Sequence, residues 1–432
     1  MMTSAVTVGE NLQTTTSIRL NAPSPAGGMN VMIASSDPGK ALFSASPMAA
    51  GAGSITLNIP MGRTASADFY VQGLANNGVA SFTASSPGFG TVSGSVTLTR
   101  SGFVVSGPFG VGTDFFTTTG AESTGLTVTS TRLDAGLNPV EPQPVRAGMT
   151  VDVDVASATV ATGTILGSPV RFTGGVGAAS ALFQPLSAGT TVIGVIAPAG
   201  FTAATGGALT ATVRVPGLVI EDGATIGNNL QAPGSLLLGR AAPAGGTVVT
   251  VSSNSPSLLL SNSETGAGAS SITVTVPAGL SAGVYYLQGR SSVGTATYTA
   301  SAPGFLVKTA TVNLAPSGLI ITGPFGIGFP FTLPLAGGVK SATITTALLD
   351  PATNAFVTAQ PLSGGLSLAV PLTNSNPGTA TVPAQMTITG GTSAVNLPVQ
   401  PVAAGSTLVA LPVPLPGFAL PRTATSLSVT VN

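Results

Sequence analysis

The chain of 432 residues has no cysteine, no histidine and no tryptophan, and only 6 % of its residues are charged. Without thiols and imidazoles there is no disulfide framework, no thiolate or imidazole metal site, and no Ser-His or Cys-His catalytic pair. Thirteen basic residues balance 13 acidic ones with no basic run, so the electrostatic footprint of nucleic-acid binding is missing. We therefore expect no enzyme, no cofactor and no nucleic-acid partner.

Long apolar runs are also missing. No segment approaches the 18 or more apolar residues of a membrane-spanning helix. The first ten residues, MMTSAVTVGE, have neither the basic region nor the apolar region of a signal peptide. The sequence predicts no membrane-spanning segment and shows no signal peptide, so we expect a trimmed signal, a segment of a longer chain, or another export route.

Glycine and proline, by contrast, are abundant, with 57 and 34 residues, and 43 % of the chain is hydrophobic. Disordered low-complexity chains combine glycine and proline with few apolar residues. Here Val, Ile, Leu and Thr recur in alternating runs between turn residues. The composition is typical of short strands joined by many turns.

An internal repeat spans half of the chain. The stretch SGFVVSGPFGVG at 101–112 returns as SGLIITGPFGIG at 317–328, which is 216 residues later and half of 432. The stretch VGENLQ at 8–13 returns as IGNNLQ at 226–231. Two copies of one long unit are present.

Each copy divides again, because Pro-Gly-Phe or a near variant occurs four times, each time before a last alternating stretch. The sequence predicts four tandem domains in the order A-B-A′-B′, at 1–100, 101–217, 218–315 and 316–432.

The strands of these domains can be identified from alternation. Ile272, Val274 and Val276 share one face of a strand with threonines opposite, and Ala296, Tyr298 and Ala300 do the same. Period-two alternation indicates antiparallel sheets with one packed face and one wet face. Several short strands at regular spacing predict an all-β chain of immunoglobulin-like β-sandwiches.

The stretch APAGGTVVTVSS at 242–253, followed by SITVTVPAG at 271–279 and Pro-Gly-Phe at 303–305, resembles bacterial immunoglobulin-like domains, the modules of invasin-like surface proteins. The match is clearest in the A copies and touches all four predicted domains. The resemblance implies an extracellular or cell-surface location and a role as spacer, stalk or adhesive rod. It implies no catalytic residue.

Two acidic pairs are candidate calcium ligands. Asp152 and Asp154 share one face of a strand, and Glu221 and Asp222 lie at the junction of the second and third predicted domains. Calcium takes six to eight oxygen ligands, which neither pair supplies. We therefore favour a solvent-facing strand for the first pair and an ordinary polar turn for the second, and predict no metal site.

Six phenylalanines are the candidate structural residues. Two lie in the repeated Gly-Pro-Phe-Gly bends and four in the Pro-Gly-Phe motifs, and we expect all of them to anchor the core, the sandwich ends or the contacts between neighbouring domains. They are Phe109 and Phe325 at the bends, and Phe89, Phe201, Phe305 and Phe418 in the motifs.

The low charge predicts surfaces that do little to block association. We expect a non-enzymatic extracellular structural or adhesive protein, a rod or fibre segment that contacts copies of itself or other surface proteins. The alternative is a glycan- or protein-binding accessory module of a larger secreted protein.

Overall fold

The computed structural model describes residues 1–412 and 414–432. The contacts divide the chain into two compact units, Met1–Val215 and Pro216–Asn432, called here the first and the second unit. The described backbone consists of strands, turns and loops, and none of it forms a helix of the length and apolarity that crossing a membrane takes. The prediction of an all-β chain is confirmed.

The first half of the first unit forms two sheets, with strand orders β1-β8-β7-β3-β5 and β2-β6-β4. These strands are β1 (Val6–Gly9), β2 (Gln13–Thr16), β3 (Met29–Ser35), β4 (Ala41–Ser44), β5 (Ser54–Ile59), β6 (Phe69–Gly73), β7 (Val79–Ser86) and β8 (Gly90–Thr99).

The second half of the first unit again forms two sheets, β10-β9-β12-β17-β15, with β13 beside β12, and β11-β19-β18-β14-β16. These strands are β9 (Ser101–Gly107), β10 (Gly110–Val111), β11 (Phe115–Thr118), β12 (Thr124–Leu133), β13 (Pro139–Pro142), β14 (Thr150–Ser157), β15 (Gly163–Leu166), β16 (Val170–Thr173), β17 (Ala178–Pro185), β18 (Gly189–Ile196) and β19 (Leu209–Arg214).

The second unit repeats this plan. Its first half has sheets β20-β22-β26-β24 and β21-β28-β27-β23-β25. These strands are β20 (Leu218–Ile220), β21 (Thr225–Gly227), β22 (Gln231–Leu238), β23 (Thr247–Ser253), β24 (Leu258–Ser261), β25 (Ser271–Val276), β26 (Ala282–Gly289), β27 (Thr295–Ser301) and β28 (Lys308–Ala315).

Its second half has sheets β29-β31-β37-β35, with β32 beside β31, β30-β39-β38-β34, and the pair β33-β36. These strands are β29 (Ser317–Thr322), β30 (Phe331–Leu333), β31 (Lys340–Leu349), β32 (Phe356–Ala359), β33 (Ser367–Pro371), β34 (Thr373–Asn374), β35 (Ala380–Thr381), β36 (Gln385–Thr389), β37 (Ala394–Pro401), β38 (Gly405–Ala410) and β39 (Ser426–Val431).

Each half is closed by one parallel pair, in which an early strand lies beside the last one: β1 with β8, β11 with β19, β21 with β28 and β30 with β39. The remaining ladders are antiparallel. Two packed antiparallel sheets of this kind form an immunoglobulin-like β-sandwich. The four domain boundaries drawn from the sequence stay a prediction, because the contacts resolve two units.

The cores follow the alternation of the sequence. Val274 and Val276 are buried, Ile272 is half-buried, and Ala296 and Ala300 are buried on their strand. Threonines between them face outward, so each sheet has one packed and one wet face. The strand faces predicted from the sequence are confirmed.

Candidate functional site: the seam inside each unit

Each unit carries a short turn that reaches from its first half into its second half. The turn is Gly-Glu-Asn-Leu-Gln at 9–13, between β1 and β2, and Gly-Asn-Asn-Leu-Gln at 227–231, between β21 and β22. We call these the docking turns, and the contact that they make the seam. Asn11 and Asn229 have φ angles of 59° and 63°, a left-handed conformation that asparagine tolerates better than most residues.

The leucine of each docking turn is fully buried in the seam. Leu230 belongs to the apolar cluster of the second half, with Leu319 and Ile344, although its chain neighbours Ile226 and Leu236 belong to the cluster of the first half. Leu12 is equally buried and forms a β-bridge with Val145. Leu230 therefore fills a site in the core of the opposite half, and Leu12 lies in a core that both halves of the first unit share.

Backbone hydrogen bonds cross each seam beside the leucine. The pairs are Gln13 N–H to Pro144 C=O at 2.9 Å, Arg146 N–H to Asn11 C=O at 2.9 Å, Gln231 N–H to Pro361 C=O at 2.9 Å, and Ser363 N–H to Asn229 C=O at 2.8 Å. The docking turn thus pairs with a loop of the second half as a short strand would.

A buried glutamine closes the docking turn of the first unit. The Oε1 atom of Gln13 accepts hydrogen bonds from the Ala147 N–H at 3.0 Å and from Nε2 of Gln72 at 3.2 Å. Its Nε2 donates to the Pro47 carbonyl at 2.8 Å. Burying an amide is unfavourable unless its polar atoms are paired, and here one side chain joins both halves with both of its ends paired.

The second unit repeats the same arrangement. Oε1 of Gln231 accepts from the Gly364 N–H at 2.8 Å and from Nε2 of Gln288 at 3.1 Å. Its Nε2 donates to the Glu264 carbonyl at 2.7 Å. A polar pattern reproduced atom by atom in two copies indicates that both units use one joining mechanism.

A second glutamine reaches back across each seam from the second half. Its bonds are Gly9 N–H to Gln143 Oε1 at 2.9 Å, Gln143 Nε2 to Thr7 C=O at 2.9 Å, Gly227 N–H to Gln360 Oε1 at 2.9 Å, and Gln360 Nε2 to Thr225 C=O at 2.8 Å. The halves therefore exchange amide contacts in both directions.

Two of the four Pro-Gly-Phe motifs accept hydrogen bonds from the docking turns. Nδ2 of Asn11 donates to the Gly200 carbonyl at 3.0 Å, and Nδ2 of Asn229 donates to the Gly417 carbonyl at 3.2 Å. Both glycines have φ angles near the left-handed region, 82° and 81°. The glycine of the motif, which turns its carbonyl toward the asparagine, therefore contributes directly to the seam.

The connection between the two halves of each unit is one residue long. One residue, Arg100, separates β8 from β9, and one residue, Pro316, separates β28 from β29. Flexible linkers between domains are normally longer and contact little. The two halves of a unit are therefore held as one body.

A cleft opens along the seam in both units. In the first unit it measures about 320 Å³, and its lining includes Asn77, Arg100 and Asp134 beside leucine and alanine side chains. In the second unit it measures about 550 Å³, with Val293 in the place of Asn77 and Asp350 in the place of Asp134. The repeats therefore share the carboxylate of the cleft and differ at its asparagine.

The repeats also differ in one pair of core aromatic residues. Phe69 and Phe82 of the first unit correspond to Tyr285 and Tyr298 of the second, and each pair meets edge to face, at 6.4 and 6.1 Å between centroids. The Tyr285 hydroxyl donates to the Tyr298 hydroxyl at 2.8 Å, and the Tyr298 hydroxyl donates to the carbonyl of Glu221. Burial raises the pKa of both tyrosines above the usual value.

These pKa shifts predict alkaline instability of the second unit. Because the folded-state pKa values of Tyr285 and Tyr298 lie above the unfolded value of about 10, their contribution is fully present below pH ~10 and is lost as the pH rises above it. At pH values above about 10, we expect the second unit to unfold at a lower denaturant concentration. The tyrosinate absorbance of this pair is expected to appear only on unfolding.

The first unit supplies the control. In the double variant Tyr285→Phe with Tyr298→Phe, which installs the residues of the first unit, the alkaline loss is expected to shrink, since neither ring then carries a hydroxyl that can ionise. The backbone of Glu221 loses its two hydroxyl partners, so the variant is expected to be less stable than the wild type below pH ~10. If the double variant keeps the full pH dependence, the tyrosine pair is not its cause.

Three of the six predicted phenylalanine anchors are wrong. Phe109 and Phe325 are each 68 % exposed and Phe89 is 52 % exposed. The two bend phenylalanines lie at tight turns whose bonds run from Gly110 to Gly107 and from Gly326 to Gly323, so their side chains extend beyond the sheet. A tight turn between glycines is favourable for its backbone and requires no buried aromatic ring.

The other three phenylalanines lie in the interior. Phe305 and Phe418 are buried, and the half-buried Phe201 packs on Phe103 with centroids 4.7 Å apart. The Arg240 guanidinium lies 4.9 Å from the Phe305 ring. Their anchoring role stays a prediction that stability measurements address.

The acidic pairs are placed on the surface. Asp152 and Asp154 are exposed while the intervening Val153 is buried, and Asp152 forms a two-pronged ion pair with Arg171 at 2.8 and 2.9 Å. This hydrogen-bonded ion pair lowers the pKa of Asp152. Its carboxylate is thus engaged by a cation of the protein.

Glu221 and Asp222 are also engaged within the protein. Asp222 accepts the Thr311 N–H at 2.8 Å, and Glu221 accepts the Ser235 hydroxyl at 3.2 Å. Throughout residues 1–412 and 414–432 no three acidic groups come together in a way that would hold a metal ion.

Comparisons with known proteins add no family. No family model matches the chain, and no curated protein matches it. The solved structures that it resembles include E. coli alpha-2-macroglobulin in its native conformation, at 11 % identity over 99 % of this chain and 30 % of that chain, with a TM-score of 0.19. The adhesin InvE of Yersinia pseudotuberculosis follows at 16 % identity over 50 % of this chain and 58 % of that chain, with a TM-score of 0.20.

The ectodomain of the teleost fish polymeric Ig receptor gives 11 % identity over 47 % of this chain and 96 % of that chain, with a TM-score of 0.21. The chain spans less than two thirds of the length of the first two proteins. Overall scores this low add nothing to the architecture, which rests on the strand pairing.

Proposed function

We propose that this chain is a non-enzymatic structural or adhesive segment of the bacterial exterior, part of a rod or fibre, in which each two-sandwich unit is one stiff element. The seam is the observation that carries the proposal. In both units a buried leucine and a buried glutamine join halves that one residue of chain separates. Hinge motion would expose both side chains and break their contacts, so each unit resists bending.

The surface composition supports the same role. With 6 % charged residues, the sheets present threonine, serine and apolar atoms, and lack the charges that usually keep exposed strand edges apart. Such surfaces favour association with copies of the chain or with other surface proteins. The absence of cysteine suits a rod that relies on β-pairing instead of disulfides.

A binding role has one observation in its favour. The seam cleft of the first unit brings together Asn76, Arg100 and Asp134, which offer both hydrogen-bond donors and acceptors. Groups of this kind hold glycans or peptides in small sites. An accessory module with a glycan or protein ligand is therefore the second candidate.

Small-angle scattering extrapolated to zero concentration tests the structural proposal. A compact globule of 432 residues has a radius of gyration of about 22 Å. Four sandwiches in line, each roughly 40 Å long, have a radius of gyration of about 45 Å. We expect the larger value, with elongated particles in negative-stain images of the same sample.

The opposite result has a definite meaning. A compact particle that binds an arrayed glycan saturably, with binding lost in Arg100→Ala, would replace the structural proposal by the binding one. Arg422→Ala, which removes an arginine from the second unit, is the matched control.

A further inference from the structure

The turn between β6 and β7 contains the one Asn-Gly pair of the sequence, Asn77-Gly78. Asparagine is a thermolabile residue, because the backbone nitrogen of the next residue can attack the carbon of its side-chain amide. A glycine in the next position favours this attack, since it has no Cβ to obstruct the approach. Whether the pair reacts depends on whether the fold leaves both groups able to meet.

The fold leaves the attacking nitrogen available. Within residues 1–412 and 414–432, the Gly78 N–H finds no hydrogen-bond acceptor, and the place where a Cβ of this residue would lie has no other atom within 4 Å. Asn77 is exposed, and its Nδ2 donates to Oδ1 of the exposed Asn76 at 2.8 Å. Both reacting groups are therefore accessible to water and have space around them.

The three Asn-Ser pairs of the sequence show the opposite arrangement. Serine is also a small following residue, but in each pair its N–H, which would be the attacking group, donates a hydrogen bond within the protein. The bonds are Ser255 N–H to Ser253 Oγ at 3.2 Å after Asn254, Ser263 N–H to Ser261 Oγ at 3.2 Å after Asn262, and Ser375 N–H to Leu408 C=O at 3.0 Å after Asn374. The fold thus engages the attacking nitrogen at these asparagines and not at Asn77.

The second unit builds the same turn without an asparagine. Val293-Gly294 takes the place of Asn77-Gly78, and the two glycines have φ angles of 89° and 92°. In both turns the glycine carbonyl accepts the N–H of a leucine on the last strand of the half, from Leu98 to Gly78 and from Leu314 to Gly294, each at 2.9 Å. The turn depends on its glycine, so its geometry does not explain the asparagine.

We propose that Asn77 is a self-modifying site, which converts in the folded protein to aspartate and isoaspartate. The Gly78 nitrogen bonds to Cγ of Asn77, the bond from Cγ to Nδ2 breaks, and ammonia leaves with the proton of the Gly78 N–H. The product is a cyclic imide. Water then adds to one of its two carbonyl carbons and breaks the bond from that carbon to nitrogen, which gives aspartate or, through the backbone carbon, isoaspartate.

The new carboxylate changes the charge of the seam cleft of the first unit. Asn77 lines this cleft with one cation, Arg100, and one anion, Asp134. None of the ion pairs in the described part of the chain includes Arg100, so the product gives it a neighbour of opposite charge. The cleft as a whole becomes negative, whereas Val293 keeps the corresponding cleft of the second unit unchanged.

Peptide mass spectrometry after incubation in labelled water tests the proposal. The folded protein is kept in mildly alkaline water enriched in oxygen-18 and then digested with trypsin in ordinary water, so only side chains hydrolysed during the incubation carry the label. Cleavage after arginine releases residues 64–100 with Asn77, and residues 241–290 with Asn254 and Asn262. We expect one labelled oxygen at position 77, in a fraction that grows with time, and none in residues 241–290.

Two variants identify the site and its charge. Asn77→Val, which installs the residue of the second unit, is expected to abolish the label in residues 64–100, and thermal melting checks that it keeps the fold. Asn77→Asp carries the product charge from the start. The modified fraction of the wild type is expected to share its longer retention on an anion-exchange column, because the formal net charge of zero falls by one in both.

A parallel incubation in urea measures the reactivity of the unfolded chain. If position 77 is labelled in urea while the folded protein stays unlabelled over the same period, the fold protects Asn77 and the proposal is wrong. Labelling of Asn254 or Asn262 in the folded protein as fast as Asn77 would also overturn it, because the engaged serine nitrogens would then offer no protection. The readout comes from single peptides, so it is independent of the structural role proposed above.

Discussion

Leu230→Ala is expected to destabilise the second unit by about 2–5 kcal/mol, the usual cost of truncating a fully buried leucine. Leu230 has no exposed surface and lies in the apolar cluster of the opposite half. The cavity therefore opens in a core that the first half does not otherwise fill. Denaturant unfolding gives the free energy of unfolding, and hydrogen-exchange mass spectrometry assigns the loss to residues 216–432.

Leu237→Ala is the matched control, because Leu237 lies on β22, close in the chain, yet is 46 % exposed. Its effect is expected to stay within about 0.5 kcal/mol. Leu12→Ala is expected to produce the same loss in the first unit. Equal stability of the Leu230 and Leu237 variants would contradict the assignment of the docking turn as the joint of the unit.

Gln13→Met is expected to destabilise the first unit although the side chain keeps its length. The buried Ala147 N–H loses its acceptor, the Pro47 carbonyl loses its donor, and Nε2 of Gln72 keeps only the Ala49 carbonyl. A buried group left unpaired costs about 1–3 kcal/mol, so the loss should exceed that of the typical substitution, about 1 kcal/mol. Denaturant unfolding measures the loss.

Gln184→Met is the matched control, because it makes the same substitution at a glutamine that is exposed on β17. We expect it to leave the free energy of unfolding within about 0.5 kcal/mol of the wild type. Exchange protection should fall for the amide of Ala147 in the Gln13 variant before the rest of the unit opens. A Gln13 variant as stable as the Gln184 variant would show that the amide network does not hold the halves together.

The strand faces were predictable because they depend on local pattern alone. The alternation at Ala296, Tyr298 and Ala300 determines which side chains point inward, whatever partner strand lies beside them. The all-β class follows from many such segments with turn residues between them.

The seam was not predicted, because its evidence is spread over distant residues. The repeat at 8–13 and 226–231 is visible in the sequence, but nothing local shows that its leucine packs in the other half. One signal was available. Glutamine recurs at matching places in the two repeats, at 13 and 231 and at 72 and 288, and a buried amide needs partners that only another element supplies.

The error at Phe109 and Phe325 has a different cause. Repetition was interpreted as a packing requirement, whereas the glycines around each phenylalanine determine a tight turn and leave the ring outside. Recurrence between repeats shows that a residue is retained and does not say whether it serves the interior or a partner.

The seam also bears on how such a chain can lengthen. A docking turn belongs to the first half of a unit, and the loops that it contacts belong to the second half. If a single sandwich were added or deleted, either the leucine of a docking turn would lose the core in which it is buried, or a core would lose the leucine that fills it. The number of sandwiches can then change without breaking this contact only by two at a time. The 216-residue period of the sequence is two sandwiches long and agrees with this rule, because a repeat of that length contains both sides of the joint.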